Sequence, residues 1–121
     1  MKGVWFKARR AVESGFWDTC EVTAFLEVQT EWGEVRWEPS QTKEMCCRLI
    51  DRAEATTQEG LIPYTAWEGI LLYPAQEQIA AGSRVTVTKE TGERRMFYTT
   101  GETSAYRTHK EAVLTRKCPY V

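Results

Sequence analysis

The sequence predicts a mainly β protein, a small antiparallel β-barrel of six or seven strands with one short N-terminal helix and a long polar loop. Three observations carry this. Apolar and polar side chains alternate with a period of two along several runs, glycine-bearing turns separate those runs, and helical periodicity is confined to the first fifteen residues.

The helix is expected over 4–14. Val4, Trp5, Ala8, Ala11 and Val12 fall on one side of a helical wheel, Lys7, Arg9, Arg10, Glu13 and Ser14 on the other, and Gly15 offers a stop. So short a helix is not stable alone and must dock its apolar stripe; Phe6 lies off that stripe. From Cys20 the period becomes two, with Cys20, Val22, Ala24, Leu26 and Val28 on one face. Glu31-Trp32-Gly33 turns the chain into a second strand carrying Val35 and Trp37, which Pro39 is expected to end. Met45, Cys47 and Leu49 mark a separate strand, followed by a polar loop over 51–60. The dense apolar run 67–73 reads as a strand stopped by Pro74. Val85 and Val87 then alternate with Arg84, Thr86 and Thr88, and a turn around Gly92 leads into a strand over 94–100. A last strand covers 111–116, and 118–121 reads as a loose tail.

At 121 residues the chain has room for one domain, 1–121, with the barrel over 19–117, and its 42% hydrophobic residues can fill a modest core. A net charge of −1 excludes an overall positive field that would draw the chain to nucleic acid or acidic lipid. No apolar run approaches the roughly 20 residues of a membrane helix. The N-terminal segment has no apolar stretch of the kind a signal peptide carries, so a cytoplasmic site of synthesis is expected. Cys20, Cys46, Cys47 and Cys118 are expected to be reduced thiols. Adjacent Cys46 and Cys47 point to opposite faces of a strand and do not form a chelating pair, so neither a metal nor another cofactor is expected.

Catalytic patterns are missing. His109, the one histidine, stands in Tyr106-Arg107-Thr108-His109-Lys110-Glu111 without a serine or cysteine elbow, and reads as a hydrogen-bonding tether at the start of the last strand. A cysteine enzyme would need a reactive thiol beside it. No glycine-rich phosphate-binding segment is present. The aromatics Trp5, Phe6, Phe16, Trp17, Trp32, Trp37 and Trp67 read first as core and hairpin packing, because basic residues do not interleave with them on one strand face; they leave open a small barrel that binds single-stranded nucleic acid or another ligand.

The C-terminal half reads Gly82-Ser83-Arg84-Val85-Thr86-Val87-Thr88, a glycine-centred turn, Phe97-Tyr98-Thr99-Thr100-Gly101-Glu102, and Tyr106-Arg107-Thr108-His109-Lys110-Glu111-Ala112-Val113-Leu114. Before it come a short helix, a strand at Cys20-Glu21-Val22, a hairpin, and Cys47-Arg48-Leu49 leading to a polar loop. This order resembles the head-completion, or stopper-like head-tail connector, proteins of long-tailed bacteriophages and prophages. Thr100 and Thr103 depart from the serine and proline of that pattern. The resemblance implies a non-enzymatic virion protein, made in the bacterial host cytoplasm. It would assemble as a ring at the portal vertex, close the DNA channel and present a platform to the tail. Its partners would be further copies of itself, a portal or adaptor protein and tail proteins, with packaged DNA only near by and no membrane. On that reading Asp51, Glu54 and Glu59 are the candidate channel loop, repelling phosphate when repeated around a ring. Phe6, Lys7, Arg9 and Arg10 are the candidate partner contacts on the helix.

Overall fold

A computed structural model describes residues 2–51 and 68–120, with side chains from residue 7 onward. One helix, α1 (Lys2–Glu13), precedes six strands: β1 (Asp18–Gln29), β2 (Val35–Asp51), β3 (Gly69–Pro74), β4 (Arg84–Thr88), β5 (Arg94–Ala105) and β6 (His109–Thr115). All pairings are antiparallel, and the order β1-β2-β3-β6-β5-β4 closes on itself because β4 pairs back onto β1. The expected small antiparallel barrel with one short helix is therefore what forms.

Period-two alternation builds the interior. Cys20 and Val22 of β1, Met45, Cys47 and Leu49 of β2, Leu71 and Tyr73 of β3, Val85 and Val87 of β4, Phe97 of β5, and Ala112 and Leu114 of β6 all point inward and form one buried cluster. Burial of this kind contributes about 1.5–3 kcal/mol per large side chain, so the dozen inward positions hold the sheet closed.

Two hairpins share one turn design. Thr30 N donates to Glu34 O and Gly33 N to Thr30 O, and the same two bonds recur from Lys89 to Glu93 and Gly92 to Lys89. Gly33 and Gly92 sit at φ 81° and 92°, the left-handed conformation that these turns require and that glycine adopts without strain.

Several expectations are corrected by the strand bounds and the tail. Pro39 does not end a strand: β2 runs unbroken for 17 residues, and a bulge opposite Ala24 shifts the register between Thr23↔Thr42 and Phe25↔Pro39. The segment 118–120 is not loose, since Tyr120 packs against Phe25 and Trp37, with ring centroids at 4.9 and 4.8 Å, and donates its hydroxyl to the Gly82 carbonyl at 2.9 Å. Asp51 does not open the polar loop; it is the last residue of β2 and is buried. Trp67 and the loop over 52–60, with Glu54 and Glu59, lie outside the described residues.

Candidate functional site

The sequence-predicted channel residue Asp51 is part of the barrel's own scaffold. Its carboxylate, 2% exposed, accepts from the Arg95 guanidinium and lies 3.6 Å from Nη2 of Arg116. Arg95 is also held by Glu93, and Arg116 spans the Phe97 ring at 5.5 Å while its Nε stands 3.9 Å from Glu68. The Arg95 guanidinium is pushed above its ordinary pKa, first by its hydrogen bond to Glu93 and also by Asp51. A carboxylate so placed is buried and paired, and it ties the end of β2 to Arg95 of β5 and to Arg116. Asp18 does similar structural work nearby, accepting Leu49 N–H at 3.0 Å and Glu90 N–H at 3.1 Å and so tying β2 to the β4–β5 turn.

The helix residues divide. Lys7, Arg9 and Arg10 are exposed, while Ala8 and Val12 are half-buried on the side that faces the barrel. Arg9 donates Nε–H to the Arg107 carbonyl at 2.9 Å, so this guanidinium moors the helix to the turn before β6 as well as facing outward. The Phe6 side chain lies outside the described residues.

His109 is a tether. Nδ1 shares a hydrogen bond with Thr108 Oγ1 at 2.9 Å and Nε2 one with Glu111 at 3.1 Å, while Tyr106 stacks on the ring at 4.8 Å and donates its backbone N–H to the His109 carbonyl. Both ring nitrogens are thereby engaged in fixing the β5–β6 turn. Cys20 and Cys47 lie sealed inside the barrel, and the contact with Cys20, together with burial, pushes the Cys47 thiol well above its ordinary pKa. A thiol held protonated is a poor nucleophile.

Motif residues of the β4 approach also have structural roles. Gly82 takes φ 76°, and Ser83, buried, donates Oγ–H to the Ala80 carbonyl at 2.6 Å and its N–H to Thr99 Oγ1 at 3.0 Å. This knot pins the 80–83 turn to β5.

What the scaffold leaves uncovered is the distal half of the β1–β2 hairpin. β4 pairs with β1 only as far as Thr23, and β3 with β2 only from Arg48. Beyond those points the hairpin is a two-stranded arm. Directly opposed residues share a face, so Phe25, Trp37 and Val35 lie on one side, where Tyr120 partly covers Phe25 and Trp37, and Leu26 and Val28 on the other. Leu26 is 59% exposed, Trp37 44%, and Trp32 at the tip 89%. At the base of the arm a cavity of about 510 Å³ opens, lined by Val22, Ala24, Thr42, Lys43, Ile79 and Ser83 among others. Lys43 is fixed there by Glu77 at 3.3 Å and by the Gln78 carbonyl. Alternation in β1 foretold a buried face at Leu26 and Val28; no sheet neighbour reaches them, so they stay exposed.

The arrangement defines a closed six-stranded barrel with an apolar arm. No protein-family model and no curated protein matches the chain. Among solved structures it is similar to the solution structure of protein SF1141 from Shigella flexneri 2a, at 18% identity and a TM-score of 0.54, over 84% of this chain and 93% of that one. A likeness at that identity is one of fold.

Proposed function

We propose that this protein is a structural connector of a long-tailed phage or prophage. It assembles as a ring at the portal vertex, closes the DNA channel and gives the tail its docking platform. The observation that supports this best is the division of the molecule into a sealed barrel and an arm with Leu26, Val28, Trp32 and Val35 exposed. A two-stranded ribbon is marginal in water by itself, and apolar side chains left exposed on both of its faces and at its tip mark surfaces made to meet protein. The exposed cations Lys7, Arg9 and Arg10 on α1 add a second contact suited to an acidic portal or adaptor surface.

The test is genetic and biochemical. Removing the gene from the phage genome that encodes it should yield heads that lose their DNA and fail to join tails, with both defects repaired by adding the purified protein. Heads that retain DNA and accept tails without it refute the proposal.

A second reading has one observation in its favour. Trp17, 61% exposed, lies beneath the Arg48 guanidinium at 5.7 Å, a pairing on which a single-stranded base can stack. Quenching of tryptophan fluorescence by short oligonucleotides, abolished in Trp17→Ala, distinguishes that ligand-binding barrel from a connector.

A further inference from the structure

The arm leaves one strand edge open, and its turn fixes which backbone groups face outward. Thr30 N bonds Glu34 O, making that a hydrogen-bonded pair, and such pairs recur at every second position of an antiparallel ladder. With Val28 opposite Arg36, Glu27 opposite Trp37 and Phe25 opposite Pro39, it is Arg36 and Glu38 that bond to β1. Val35 and Trp37 turn their N–H and C=O groups the other way, as Pro39 does its C=O. Among the described residues no strand lies along that outer edge of β2 before Arg48.

The edge is complementary to itself. When it pairs antiparallel with a second copy about Trp37, Arg36 stands opposite the partner's Glu38, and Glu38 opposite the partner's Arg36. Trp37 then exchanges two N–H···O=C bonds with the partner's Trp37, and Val35 N–H meets the carbonyl of the partner's Pro39. The ladder stops there because proline has no N–H to continue it. The strands run in opposite directions, so the two barrels sit at opposite ends of the joined arms. The same register carries the partner's Trp32 to the level of Thr42, at the mouth of the cavity.

We infer that the free protein is a two-fold dimer joined through Val35, Arg36, Trp37, Glu38 and Pro39 of β2. A contact of this kind closes at two copies and builds no ring, so the dimer stands or falls independently of the connector reading. It occupies an open strand edge that would otherwise pair indiscriminately.

Mass measured by light scattering or sedimentation over a range of concentrations tests it. The wild-type protein should be a dimer. R36E sets like charges opposite each other twice across the axis, and E38R does the same, so each should weaken the dimer roughly tenfold. The double reversal R36E/E38R should restore it. V35P, altering an N–H that faces away from β1, should keep the hairpin folded and also weaken the dimer. A monomer at every concentration, a mass that the single reversals leave unaltered, or a double reversal as weak as the singles overturns the inference.

Discussion

The same two strands live in two environments. In the barrel half of β1 and β2, Cys20, Val22, Met45, Cys47 and Leu49 are buried; in the arm half, Leu26, Val28, Val35 and Trp37 are exposed. Alternation is equally good in both halves of β1, so patterning alone does not make a core. A strand's apolar face is buried only where neighbours on both sides curve the sheet around it, and β3 and β4 stop short of the arm.

Substitutions can break or sharpen that contrast. Phe97→Ala, at the centre of the closed half, should cost about 3–5 kcal/mol of stability in denaturant unfolding; a loss below 1 kcal/mol would mean the barrel interior is not a single packed core. Asp51→Ala should cost about 2 kcal/mol, less than a fully buried pair because Arg95 keeps Glu93 and partial access to water. An unchanged midpoint would return Asp51 to the surface role that its sequence position suggests. Tyr120→Ala, which removes two ring contacts and one hydrogen bond, should cost about 1 kcal/mol. Its larger signature should be faster amide exchange in the arm with barrel amides unaffected; a uniform loss of protection would show arm and barrel to be one cooperative unit. Leu26→Ser, on the open face, should change stability by under about 0.5 kcal/mol. A change several times larger would mean that the face bearing Leu26 and Val28 is covered in the free protein. Thiol labelling gives the same contrast without mutation: Cys46, exposed, should react at once, and Cys20 and Cys47 only on unfolding.

Much of the fold was legible because local signals and pairing agree. The Gly33 and Gly92 turns, the β4–β5 hairpin, the inward set on β4 and the inward Cys20 and Val22 of β1 all follow from spacing, and the tether at His109 follows from its lack of partners in sequence. Pro39 misled because a proline normally breaks a ladder. Here its missing N–H points away from β1, and a bulge absorbs the mismatch, neither of which a single strand's sequence can reveal. The strand expected over 94–100 is longer for a similar reason: β5 continues past Gly101 to Ala105 through a register shift between Thr99 and Thr103. Asp51 looked like the first residue of a polar loop because its partners, Arg95 and Arg116, are more than 40 residues away. The arm was visible as a hairpin but not as an arm, since its exposure depends on how far β3 and β4 extend.

Gly82 links the two environments. A methyl group at its Cβ position would overlap the Tyr120 hydroxyl, and the left-handed backbone there disfavours any side chain. Gly82→Ala would therefore evict the tyrosine ring and bare Phe25 and Trp37. How adhesive the arm's outer side is to other proteins is thus governed from a turn that belongs to neither of its strands.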